Sequence, residues 1–196
     1  MLVAISGSQG SGKSTVLAAM EENGYDVVTR KTARSILVEW DVSLSSVNKD
    51  LDLTVKYQEA LLDRKYHDDL SIVQSGKLCF TERTFADLFS YALFTLGKHN
   101  QYSDWLNTYH AKCLEYQQIY DQVFYLKAGY FSTKHDGVRG TNHHYSRMAD
   151  MTMLDVTTNM THPSKLVIVD TGCLSQRVSS IMYMSDSKYN NKKGLY

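Results

Sequence analysis

Apolar residues fall along this chain in two rhythms. Short, nearly unbroken apolar runs occur at 2–6 (LVAIS), 25–29 (YDVVT), 77–81 (KLCFT), 122–126 (QVFYL) and 165–169 (KLVIV), and each reads as a strand. Between them the spacing is helical. Helices are expected at 13–23, about 31–39, 45–74, 85–97, 101–119, from about 142 to 160 and from about 173. Over 45–74, Leu51, Val55, Leu61, Leu62 and Leu70 fall near one face with charges between them. Residues 127–141 are polar and glycine-containing, so they read as a loop, with Asn142 as cap of the helix behind it. The terminal SDSKYNNKKGLY reads as frayed. Strands that are apolar throughout are covered on both faces. The alternation therefore predicts one α/β domain over 1–186, a parallel five-stranded sheet sandwiched by helices, with 187–196 as a flexible tail.

Composition narrows the function classes. A chain of 196 residues suits one well-buried domain. Its formal net charge of zero argues against a protein that coats nucleic acid non-specifically, and leaves room for a local basic patch. Cys79, Cys113 and Cys173 are odd in number and widely spaced, which disfavours a disulfide framework or a zinc site and predicts reduced thiols in the cytoplasm. No apolar run approaches a membrane span, and the N-terminus lacks the order of a signal peptide, so no membrane partner is expected. Fourteen tyrosines accompany a single proline, Pro163. Most of the tyrosines read as half-buried packing, with stacking on bases as the alternative use.

Candidate chemistry begins directly after the first strand. Gly7-Ser8-Gln9-Gly10-Ser11-Gly12-Lys13-Ser14 satisfies G-x-x-x-x-G-K-[ST] at every fixed position, and Thr15 follows it. Glycines let the backbone curl so that several N–H groups face a phosphate at the positive end of the next helix. Lys13 can reach the β- and γ-phosphates, and the Ser14 hydroxyl can ligate Mg²⁺. Background residue frequencies put a chance match below about 1%. ATP and Mg²⁺ are thus the expected cofactors. A triphosphate loop alone does not separate kinase from switch, a choice that rests on the other strand ends.

The stretch "KLCFTERTFADLFSY", 77–91, ends its strand in Glu82-Arg83, with Asp87 one turn on. A carboxylate there can hold Mg²⁺ or accept a proton from an attacking hydroxyl, and the forked Arg83 suits a phosphate oxygen. The plainer reading is an ion pair at a strand end. Together with the glycine loop, "TERTFADLFSY" resembles the Glu-Arg-Ser stretch of deoxynucleoside kinases and the Asp-Arg-Tyr stretch of thymidylate kinases. The layout, with "YDQVFYLKAGYFSTKHDGVRG" and "VDTGCLSQRVSSI", is most similar to small P-loop kinases of the nicotinamide riboside kinase-like group, frequent in phages.

That resemblance implies a P-loop NTPase kinase fold with a lid at about 127–147, whose arginines, Arg139 and Arg147, would close on the transferring phosphoryl group. It implies that Asp170-Thr171-Gly172 lies against adenine, with Thr171 and Gly172 as contacts. It also favours Glu82 over Asp170 for the metal, because in these kinases the third strand is beside the phosphate loop. One departure stands out. Where related kinases often carry an acid after the second strand, "VVTRKTARSIL" has Arg30, Lys31 and Arg34 and no carboxylate before Glu39. Three cations there suit an acceptor that already carries phosphate; the alternative is a solvated charge cluster. Tyr91, Phe85 and Phe89 are candidates to stack on a substrate base, against core packing. Met148, Met151 and Met153 read as helix packing, and His135, His143 and His144 as lid surface without a fourth metal ligand.

The leading expectation is an ATP-dependent phosphotransferase. Lys13, Glu82 and Arg139 would be catalytic, Ser14 and Glu82 would hold the metal, and Arg30, Lys31, Arg34, Arg83, Tyr91 and Arg147 would hold the acceptor. A free (deoxy)nucleoside monophosphate is the first acceptor. The others are 5-hydroxymethyluracil inside phage DNA, which would have to leave its stack, and a nucleoside or nicotinamide riboside. A rival class is an ATPase switch without an acceptor. A GTPase is disfavoured, since Asn48-Lys49-Asp50 lacks the N-K-x-D spacing.

Overall fold

The computed structural model describes residues 1–28, 32–130 and 143–194, with the side chain of His143 left out. Each apolar run forms a strand: β1 (Leu2–Ser6), β2 (Asp26–Val28), β3 (Cys79–Glu82), β4 (Gln122–Leu126) and β5 (Leu166–Val169). They pair in parallel in the order β2-β3-β1-β4-β5. β1 and β4 are buried at every residue, as their unbroken apolar sequences require. The register sets Ile5 beside Glu82 and Ser6 beside Tyr125, so the ends of the three central strands share one edge.

The described helices are α1 (Lys13–Glu22), α2 (Thr32–Glu39), α3 (Leu44–Lys49), α4 (Leu51–Ser75), α5 (Phe85–Leu96), α6 (Ser103–Gln117), α7 (His143–Met160) and α8 (Leu174–Lys193). Alternate residues of β1 feed two cores, because successive side chains of a strand point to opposite faces. Leu2 and Ala4 join Ile36, Leu62, Phe85 and Tyr120 on one face. Val3 and Ile5 join Val16, Leu17 and Ile181 on the other. Much of the tyrosine excess lies in the first core, where Tyr66 stacks on Tyr116 at 3.8 Å and Tyr120 lies 5.6 Å from Phe85.

Two boundaries differ from the sequence reading. The helix expected over 45–74 is broken at Asp50, whose side chain accepts the N–H groups of Asp52 and Leu53 at 3.1 and 3.0 Å and so caps α4. Residues 187–193, expected in a flexible tail, continue α8. The cause is anchoring: Lys188 Nζ donates to Asp121 O at 2.8 Å and Gln122 Oε1 at 2.9 Å, and Lys192 pairs with Asp121 at 2.7 Å. No helix among the described residues is long and apolar enough to cross a membrane.

Candidate active site

β1 hands over to the glycine loop at Ser6. Gly7 has φ +141°, and a Cβ there would lie 2.6 Å from Leu126 O and 2.8 Å from Ser11 Oγ. Only glycine lets the loop start this close to the end of β4. Gly10 and Gly12 are also left-handed, at φ 80° and 89°. Gly12 caps α1 with no side-chain hydrogen bond, and the first turn of α1 has no acid, so its positive end is left for an anion. Ser8 and Ser11 are buried, Gln9 is half-buried, and Thr15 is exposed. Gln9 Nε2 is buried with no hydrogen-bond partner.

The buried Lys13 folds back on the loop, donating to Gly7 O at 2.7 Å and Ser8 O at 2.8 Å. Ser14 Oγ lies 3.5 Å from Glu82 Oε1 on the exposed side. The pair offers two hard oxygens at the same opening. That fits Mg²⁺, which prefers oxygen ligands, keeps several waters and needs few from protein. Lys65 Nζ donates to Glu82 O at 3.2 Å and pairs with Asp69 at 2.9 Å, fixing the end of β3.

Arg83 follows with φ +67°, rare for a residue with a bulky side chain. Its own N–H donates to Ile5 O at 2.9 Å, which extends the β1–β3 pairing by one step. The guanidinium lies over the Tyr91 ring, 4.9 Å from its centroid, and Nη1 is buried without a hydrogen-bond partner. Burial opposes its charge, but Tyr91, Asp87 and Glu82 outweigh that and hold it above the usual arginine range. Asp87 itself is structural. It accepts from Ser6 Oγ at 2.7 Å and closes a capping box with Thr84 at the start of α5.

Of the three aromatic candidates, only Tyr91 faces this opening. Phe85 is fully buried among Tyr116 and Tyr120, and Phe89 packs 4.6 Å from His110; both are pulled into the core by the apolar face of α5. Tyr91 instead leads through Phe94, at 6.0 Å, to Tyr145 of α7, at 6.1 Å from Phe94. Met153 packs in the interior, whereas Met148 and Met151 are 51% and 64% exposed, contrary to the packing expected of all three. Arg34 is exposed on α2, and Arg147 and His144 on α7. Arg30, Lys31, His135, Arg139 and Asn142 lie outside the described residues.

At the other end of the edge, Thr171 Oγ1 accepts from Cys173 N at 3.2 Å and donates to Gln176 Oε1 at 2.8 Å. A Cβ on Gly172 would meet Tyr130 Cδ1 at 2.9 Å, so the glycine admits that ring. Asp170 pairs with Lys127 at 2.7 Å and accepts from the Tyr130 hydroxyl, bonds that lower its pKa. Those bonds occupy its carboxylate.

Sequence reading missed two residues here. Arg177, fully buried on α8, donates from Nε to Thr171 O at 2.5 Å, from Nη2 to Lys127 O at 3.0 Å and from Nη1 to Ser11 O. One guanidinium thus ties the glycine loop to the loops after β4 and β5. Asp150 of α7 accepts from Ser8 Oγ at 2.8 Å and from the Tyr125 hydroxyl at 2.9 Å. An arginine on the apolar face of a predicted helix, beside Val178 and Ile181, was the one available signal for the first; nothing in spacing marks the second.

No curated protein sequence matches this chain. Among solved structures, deoxyadenosine kinase from M. mycoides, with products dCMP and a flexible dCDP bound, aligns with a TM-score of 0.67 at 18% identity, covering 95% of this chain and 100% of that one. Thymidylate kinase from Candida albicans gives 0.68 at 13%, covering 96% and 92%. NadR in complex with NR gives 0.59 at 14%, covering 87% of this chain and 45% of that one. At these identities the likeness is one of fold, that of the small P-loop kinases. The sequence model of the AAA domain family matches residues 2–177, nearly the whole chain, and the chain belongs to that family.

Proposed function

We propose that this protein transfers the γ-phosphate of ATP to a nucleotide-type acceptor, a (deoxy)nucleoside monophosphate. The observation that carries the reading is the meeting of two half-sites on one sheet edge. Lys13, Ser14 and Glu82 form the donor half, and Arg83, with its buried unpartnered Nη1, forms the acceptor half. The sugar and base of the acceptor would extend toward Tyr91.

The loop N–H groups and the positive end of α1 hold the donor phosphates. Lys13 leaves the carbonyls of Gly7 and Ser8 and follows the β- and γ-phosphates. Ser14 and Glu82 would hold Mg²⁺, which would supply positive charge to the donor phosphates. Arg139 supplies further positive charge to the transferring group, the role its family resemblance implies. Arg83 and Arg34, with Arg30 and Lys31, hold the acceptor's own phosphate, and Arg147 and Tyr91 border it. A phosphate monoester is already largely ionised at neutral pH, with a second pKa of about 6. Its attacking oxygen needs no base, which accounts for cations in "VVTRKTARSIL" where an acid would serve a hydroxyl acceptor.

The acceptor half is tested by initial rates with γ-labelled ATP and matched pools of nucleosides, nucleoside monophosphates and hydroxymethyluracil-containing DNA. Label is expected in nucleoside diphosphates. Label confined to nucleosides, or to DNA, would overturn the assignment of the arginines to a free nucleotide's phosphate.

A further inference from the structure

Ser8 stands at a junction. Its carbonyl accepts Lys13 Nζ at 2.8 Å, while its hydroxyl, in a residue only 1% exposed, donates to Asp150 Oδ1 at 2.8 Å. The same carboxylate oxygen takes the Tyr125 hydroxyl from the end of β4 at 2.9 Å, and burial together with Asp150 holds that phenol well above its usual pKa. A carboxylate within hydrogen-bond reach of a loop built for polyphosphate works against anion binding. A neutral amide could accept both hydroxyls through its oxygen, though without the charge that strengthens the two bonds. The charge therefore has a consequence that the hydrogen bonds alone do not.

We propose that Asp150 is a positioning residue that latches the empty phosphate loop to α7 and competes with the incoming triphosphate for Ser8. The inference rests on the triphosphate reading of the loop. The triphosphate and the carboxylate are like charges flanking one short segment, residues 7–8, from which Lys13 must also depart. Filling the loop therefore weakens the Ser8–Asp150 contact. By reciprocity, that contact weakens triphosphate binding by the same factor. Asp150 thus stabilises the unliganded chain and lowers its affinity for the donor.

The test uses the full chain and the Mg²⁺ complex of a non-hydrolysable ATP analogue, with affinity from calorimetry and unfolding midpoints with and without nucleotide. Asp150→Asn is expected to lower the nucleotide-free midpoint yet bind the analogue about fivefold more tightly, at the lower end of common coupling factors. Tyr125→Phe, which leaves the charge and the Ser8 contact in place, should lower the midpoint with no gain in affinity. Asp150→Ser provides a second route should Asp150→Asn fail to fold. It removes the charge while keeping a small polar side chain, and should show the same opposed pair of changes. Lower stability without any gain in affinity, in both Asp150→Asn and Asp150→Ser, would reduce Asp150 to a structural contact and overturn the inference alone. Failure of the wild-type chain to bind the analogue would overturn the triphosphate reading and the latch with it.

Discussion

Lys13→Met is expected to lower the rate of phosphotransfer by about 10²–10³, the range for removing one preorganised charge-stabilising donor from a reacting centre. Methionine keeps the apolar stem in its buried slot and removes only the ammonium. In the resting chain that ammonium sits on Gly7 O and Ser8 O, at 2.7 and 2.8 Å. Both bonds are buried, so the nucleotide-free chain should also lose about 1–3 kcal/mol of stability. Steady-state kinetics alongside chemical unfolding measures both. A variant within tenfold of the wild-type rate would remove Lys13 from the transition state.

The largest effect on stability is expected at Arg177. Its three backbone acceptors, Thr171 O, Lys127 O and Ser11 O, come from three separate loops, and the side chain is fully buried. Arg177→Met keeps the stem and strands all three carbonyls. The expected loss is about 3–5 kcal/mol, in the range for buried polar groups deprived of a charged partner. Arg177→Lys should recover only part of it, because an ammonium on one stem cannot span the directions that a planar fork covers. Urea unfolding of both variants measures the loss. A loss below about 1 kcal/mol for Arg177→Met would mean that other contacts hold the loops together.

Local signals were legible and distant ones were not. The five strands were readable because each is a contiguous apolar run, and the glycine loop because its chemistry is written in eight consecutive residues. The place of Glu82 and Arg83 at a strand tip was readable, though the left-handed backbone at Arg83 was not. Asp50 was hidden because helical periodicity continues on both sides of the break it caps. Phe85 and Phe89 looked like base-stacking candidates because sequence marks aromatic residues near a site without marking which way the helix turns them. Arg177 and Asp150 make their decisive contacts with residues 166 and 142 positions away. Such pairings depend on the sheet order, which brings the ends of β1, β4 and β5 to one edge.

The donor site is expected to work on an acceptor rather than on water. Following the γ-phosphate of ATP by ³¹P NMR, with nucleoside monophosphates present, tests it directly. The expected result is loss of the γ-resonance matched by growth of nucleoside diphosphate signals from both substrates, with little inorganic phosphate. Stoichiometric inorganic phosphate, with the monophosphates unchanged, would contradict the account and leave an ATPase.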